Sequence, residues 1–187
     1  MKDFRRKTPV FALCGLNCRL CPMYLGNYCP GCGGGEGHQA CAVVRCSLEK
    51  EGIEFCSQCG CFPCERYEKA VAFDSFLPHS RMIRDLERAV EMGLESYLAE
   101  LEDRGTILES LLAGWNDGRT KSFYCLAVYL LEAEDLHRIL EELERNVSPD
   151  ASCKERAAMA RHAFQDAAAA RGIGLRLNKR PKEMKQE

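Results

Sequence analysis

The chain has 187 residues, with 26 Lys and Arg against 28 Asp and Glu and a formal net charge of −2. That length suits one medium domain, or a small domain joined to a larger one. The balanced charge excludes a general electrostatic pull toward nucleic acid or anionic membrane, and no apolar run approaches the length of a membrane span.

The chain opens with a basic stretch, Arg5-Arg6-Lys7, followed only by Val10-Phe11-Ala12-Leu13 before Cys14. That apolar run is too short for the core of a signal peptide, so a cytoplasmic protein is expected. Cytosolic thiols are kept reduced, which favours metal ligation over a disulfide framework for the cysteines that follow.

Eleven of the thirteen cysteines fall between Cys14 and Cys64. Four pairs have the form C-x2-C: Cys18/Cys21, Cys29/Cys32, Cys56/Cys59 and Cys61/Cys64. This spacing lets two thiolates of one tight turn bind the same ion. Cys29-Pro-Gly-Cys32-Gly33 and Cys56-Ser-Gln-Cys59-Gly60 add a trailing glycine, which suits a knuckle whose backbone N–H groups point back at the sulfurs. The two knuckles are expected to share one tetrahedral ion. Cys14, Cys18 and Cys21, with Cys41, Cys46, Cys61 and Cys64 to complete the set, are expected to hold the rest. His38, three residues before Cys41, is a further candidate because mixed Cys/His sites are ordinary for zinc. Two zinc ions are therefore expected. The alternative is a 4Fe–4S cluster, since thiolates serve both. Cys14-x3-Cys18-x2-Cys21 has the spacing of enzymes that bind such a cluster with S-adenosylmethionine, but those continue as many-stranded barrels and this chain continues as helices.

The segment from Cys14 to Cys64 is rich in Gly, Cys and Pro and poor in helix periodicity. Apolar burial is not expected to offset its ordering entropy. Metal ligation can supply on the order of 10 kcal/mol per structural zinc site instead. Lys and Arg do not concentrate here, so nucleic-acid binding is unsupported.

Cys14-Gly15-Leu16-Asn17-Cys18-Arg19-Leu20-Cys21-Pro22, then Cys41-Ala-Val-Val-Arg-Cys46, Lys50 to Cys56, and Cys59-Gly60-Cys61-Phe62-Pro63-Cys64-Glu65 resemble, in order, the blocks of a cysteine-rich family catalogued as domain of unknown function 3795. The resemblance covers residues 12–67, with looser similarity in the helical part. It implies a set of ligand candidates and no activity. In that family His38 falls where another cysteine is often found, and Cys61 is an addition.

After Cys64 the composition turns to Leu, Ala, Glu and Arg at helical spacing. Pro78 precedes a stripe of Met82, Ile83, Leu86, Ala89 and Val90. Leu94, Tyr97, Leu98 and Leu101 follow Gly93. Thr106-Ile-Leu-Glu109 reads as a capping box opening a separate helix to Trp115, and Asn116-Asp117-Gly118 as a turn. Gly118-Arg119-Thr120-Lys121-Ser122 could hold an anion at a helix start, although ordinary capping accounts for it. Phe123 to Leu131 is expected as a buried helix carrying Cys125 in the core. Leu136, Ile139, Leu140 and Leu143 mark the next. Ser148-Pro149 is expected to start the last helix, with Ser152-Cys-Lys-Glu155 as a second cap. His137 and His162 are expected on the surface, and Cys153 as structural.

The expected architecture is mainly α: an irregular Cys-rich metal-binding domain (1–66) packed on a C-terminal bundle of about five helices (67–172), then a disordered basic tail (173–187). The expected function is a zinc-binding structural or interaction protein with a protein partner, away from membranes. An iron–sulfur redox or sensory protein is the alternative. The sequence names no substrate or small-molecule ligand, and no catalytic residue.

Overall fold

The computed structural model describes residues 4–37, 41–50 and 52–181. Every regular element among them is helical: α1 (Pro22–Leu25), α2 (Ala42–Glu49), α3 (Glu65–Ala70), α4 (Met82–Glu91), α5 (Leu94–Gly114), α6 (Lys121–Leu130), α7 (Ala133–Asn146) and α8 (Cys153–Ala170), with short 3-10 turns at Cys18–Leu20, Cys56–Gln58 and His79–Arg81. None of these helices is long and apolar enough to cross a membrane. The chain divides into two compact units. One runs to Ala99 and takes up the chain again from Leu177, and the other is Glu100–Arg176. The dividing point lies inside α5.

This division differs from the expected boundary after residue 66, and the reason is physical. The Cys-rich segment has an apolar core after all. Phe11 and Leu20 are fully buried and Leu13 nearly so. Phe11 stacks on Phe55 (5.3 Å) and Tyr97 (4.7 Å). Each such side chain contributes roughly 2 kcal/mol by leaving water. The amphipathic face of α4, with Met82, Leu86 and Ala89 buried, closes this core. Asn17, itself buried, donates to Asp85 Oδ2 (3.0 Å) and to Tyr97 Oη (3.0 Å), so a loop of the first cysteines is tied to α4 and the start of α5. The helices expected to belong wholly to a separate bundle thus build part of the first unit.

The expected disordered tail is corrected in its described part. Asn178 exchanges bonds with Asp74: its N–H donates to Asp74 Oδ2 (2.7 Å), and Asp74 N–H donates to Asn178 O (2.7 Å). Asn178 Nδ2 also donates to Ala72 O (2.9 Å), and Lys179 Nζ donates to Ser75 O. Residues 182–187 lie outside the described residues.

In the second unit α6 is buried from Tyr124 to Leu130 and is apolar around its whole circumference, which makes it the central helix. Cys125 is fully buried there, as expected. Leu136, Ile139 and Leu143 of α7, spaced 3 and 4 apart, face inward. α8 contributes Ala160 and Phe164, the latter against Tyr124 (6.0 Å). Arg104, buried on α5, donates through Nη1 to the carbonyls of Val128 and Leu131 (2.7 Å each) and pairs with Glu100. It thereby satisfies carbonyls that the end of α6 leaves open.

Two expected helix starts move. Thr106 lies inside the continuous α5, where its Oγ1 donates to Glu102 O (3.2 Å) instead of capping. α8 starts at Cys153 with Ser152 as cap, not at Ser148: the Ser152 hydroxyl accepts from Glu155 N–H, and Glu155 Oε2 accepts from Ser152 N–H (2.8 Å).

Candidate functional site

The cysteines of the first unit are placed by backbone turns. Ala12 N–H donates to Leu16 O and Gly15 N–H to Ala12 O, a tight loop that needs Gly15 at φ +93°. It presents Cys14 at one end, and the 3-10 turn that follows presents Cys18. Cys32 is brought to the same place because its N–H donates to Pro9 O (2.9 Å). Gly31 permits this approach: a Cβ there would stand 2.5 Å from Pro9 O. Cys41 caps the N-terminus of α2. Cys14, Cys18, Cys32, Cys41 and Cys56 all pack at one cluster with Leu13 and Val44.

A second group forms around Cys56. Its N–H donates to Leu13 O (2.9 Å), and Cys59 N–H donates back to Cys56 O (3.0 Å). Cys46 comes from α2 and Cys64 from the N-cap of α3. Cys46, Cys56, Cys59, Cys61 and Cys64 line one cavity of about 170 Å³ together with Ile53, Phe62 and Tyr67. None of the thirteen cysteines is in a disulfide.

Electrostatics couple the thiols within each group and also across them, through Cys14 and Cys56. Burial, then the nearby Cys32, Cys41 and Cys56 thiols, push Cys14 up to about 12, against the Leu16 N–H that faces it. Burial and the Cys32, Cys14 and Cys21 thiols push Cys18 well up. Cys56 is raised to about 11 by burial and by Cys64, Cys46 and Cys59, with the Tyr67 hydroxyl opposing. Cys59 behaves differently: the Cys61 N–H and Lys50 lower it. Buried thiols at mutual repulsion keep their protons, and a bound cation reverses that preference.

Of the two expected knuckles, the fold brings Cys32 and Cys56 to one apolar cluster. Cys32 packs with Cys14, Cys18, Cys41 and Cys56, and Cys56 also lines the cavity of Cys46, Cys59, Cys61 and Cys64, so it belongs to both groups. Both knuckles dock on the same N-terminal segment, Cys32 N–H on Pro9 O and Cys56 N–H on Leu13 O. Cys29 is held against α1 by its N–H bond to Met23 O (3.2 Å), and Cys21 borders Cys18. Cys61 is exposed. His38 lies outside the described residues. Among the described residues no group of three or more Cys, His, Asp or Glu is already arranged to hold a metal ion.

Two residues of the site are absent from the sequence-based candidates. Arg6, read as part of a basic start, is buried with its side chain 2 % exposed. Its Nη1 donates to Phe11 O (2.9 Å) and Thr8 O (3.2 Å), and its Nη2 to Glu54 O (2.7 Å). Tyr67 lies one turn into α3 from Cys64, and its hydroxyl donates to Cys14 O (3.3 Å) and faces the Cys56 sulfur. Tyr67 therefore stands where the two thiol groups adjoin. Its position three residues after Cys64 at a helix start was the available hint.

Elsewhere, the turn at Asn116-Asp117-Gly118 is closed by its own side chains. Asp117 Oδ1 accepts from Arg119 N–H (2.9 Å) and Asn116 Oδ1 from Thr120 Oγ1 (2.9 Å). Ordinary turn chemistry thus accounts for the residues considered as an anion site. His137 and His162 are surface residues beside Asp103 and Asp166.

Compared with protein-family models, curated proteins and solved structures, the chain matches none of them.

Proposed function

We propose that this chain is a metal–thiolate protein, with Cys14, Cys18, Cys32 and Cys41 as one ligand set and Cys46, Cys56, Cys59 and Cys64 as the other. The observation that carries this reading is the gathering of nine cysteines at one apolar cluster and an adjoining cavity, with Cys56 at both. Backbone N–H groups of Leu16 and Cys61 face sulfurs in these groups, as they do around bound thiolates. The chemistry of the donor set fits a thiophilic ion: all-thiolate sites suit zinc, and a closed four-thiolate site has no open coordination position. The role proposed is accordingly structural or in protein interaction, in the cytoplasm and with a protein partner.

A second reading is favoured by one feature. Five cysteines line a cavity rather than a point, which suits a polynuclear iron–sulfur cluster, whose thiolates stand farther apart than those on one ion. In that case the protein serves electron transfer or sensing.

Metal and sulfide analysis of chain purified without oxygen tests both. Two zinc ions in a colourless preparation support the first reading. Iron with acid-labile sulfide and broad visible absorption supports the second. Absence of bound metal overturns both. Replacing Cys14 and Cys18 by Ser is expected to remove one metal of two and leave the other, as is replacing Cys59 and Cys64. Loss of both from either pair would mean a single cooperative site.

A further inference from the structure

Arg6 holds the one buried side-chain nitrogen or oxygen that has no hydrogen-bond partner among the described residues, its Nε. The rest of the guanidinium is fully engaged. Nη1 serves the carbonyls of Phe11, Thr8 and, at 3.5 Å, Cys32; Nη2 serves Glu54 O and pairs with the Glu54 carboxylate at 3.2 Å; the Phe55 ring covers one face at 4.9 Å. The backbone fixes this placement. Arg6 N–H donates to Gly33 O (3.1 Å), and the Arg6 stem lies so close to Gly33 that a Cβ there would stand 2.7 Å from Arg6 Cγ. Arg6 thus lies along the Cys32–Gly33 peptide, with the Cys32 thiol facing the guanidinium. A buried N–H without an acceptor is costly and marks a place where an acceptor belongs.

We infer that Arg6 is a positioning residue for the Cys14, Cys18, Cys32 and Cys41 group: its Nε–H donates to Cys32 Sγ when that sulfur is a metal-bound thiolate. This rests on the metal reading above and deepens it. A thiol sulfur is a weak acceptor, whereas a thiolate on a metal is a strong one that keeps excess negative charge. The planar guanidinium, anchored at two other edges, fixes the direction of the remaining N–H as a lysine ammonium does not. Such outer contacts orient ligands and hold metal in place.

The test uses the full chain loaded with a magnetic cadmium isotope, a thiophilic closed-shell ion like zinc. In the unsubstituted protein the Arg6 Nε–H resonance is expected to move downfield on loading and to show a scalar coupling to cadmium through the Cys32 sulfur. This arm needs no substitution, so it decides even where a variant fails to fold. In Arg6→Lys, which keeps a cation but lacks Nε–H, the same number of ions per chain is expected, with transfer to a competing chelator faster by about 10-fold or more. A chain that takes up cadmium without the coupling, or an Arg6→Lys variant with unchanged transfer, overturns the role of Arg6 and leaves the metal reading standing. A chain that takes up no cadmium overturns both.

Discussion

At Gly15 the backbone stands at φ +93°, and a Cβ there would lie 2.1 Å from Met82 O. No side chain can retreat to make room, because the obstacle is backbone. Gly15→Ala is therefore expected to cost about 2 kcal/mol or more, from the left-handed conformation and from the displaced contact with α4. A chemical denaturation midpoint for the first unit equal to that of the parent chain would refute this. Asp135, in the second unit, makes a different kind of claim. Burial alone would raise its carboxyl, but hydrogen bonds from Arg171 and then Arg138 outweigh that and hold it below 3.8. With the folded value below the unfolded one, the stabilisation is fully present above the unfolded value. It is lost as pH falls through the lower folded value. Asp135→Asn should remove it, so that stability measured from neutral pH down to the acid range declines less steeply in the variant. Equal slopes in the two proteins would show that the Arg171 contact contributes nothing.

Two hydroxyl residues of the same sequence form, Ser152 with Glu155 and Thr106 with Glu109, separate at the level of elements. Ser152 sits outside α8, and its side chain and that of Glu155 satisfy backbone and side-chain partners reciprocally. Thr106 sits inside α5 and bonds the carbonyl one turn back. Ser152→Ala is expected to destabilise the second unit by about 1 kcal/mol. Thr106→Ala should be neutral or stabilising by a few tenths, about 0.5 kcal/mol at most, because alanine is the better helix former and the residue is exposed. A Thr106→Ala loss as large as that of Ser152→Ala would restore the two-helix reading. The pair shows what is legible locally. A four-residue box marks a helix start only when the preceding residues cannot themselves be helical, and Leu94 to Leu101 can. By contrast α6 was legible as an unbroken apolar run, and α7 because its apolar residues recur at helical spacing.

At the scale of the molecule, spacing shows the turns that carry cysteine pairs but not the contacts between those turns. Spacing along the chain says which two thiols share a turn. It says nothing of which turns meet, and that is decided by Pro9 O and Leu13 O, two carbonyls with no sequence signature. Nor did composition reveal the core, since Phe11, Leu13, Leu20, Val44 and Phe55 are scattered singly among glycines and cysteines yet end up buried together with α4. That core changes what metal removal should do. A segment held by metal alone would unfold outright on chelation. Here the burial of Phe11, Leu20 and Leu86 opposes the loss by roughly 2 kcal/mol for each side chain, while metal removal withdraws on the order of 10 kcal/mol per zinc site. The second is the larger quantity in a unit with so few fully buried side chains, so the first unit is expected to lose its structure, and the loss should not stop at Cys64. Amide exchange after strong chelation should show protection lost from Leu13 to Tyr67 and also in α4, because Asn17, Gly15 and Phe11 are what α4 and Tyr97 pack against. Protection in α6, α7 and α8 should be unchanged, their core of Tyr124, Leu136, Ile139 and Phe164 being free of candidate ligands. Metal-free chain in which α4 keeps its full protection would show that the apolar core suffices without the thiol groups, and would make the metal an addition to the fold rather than a condition of it.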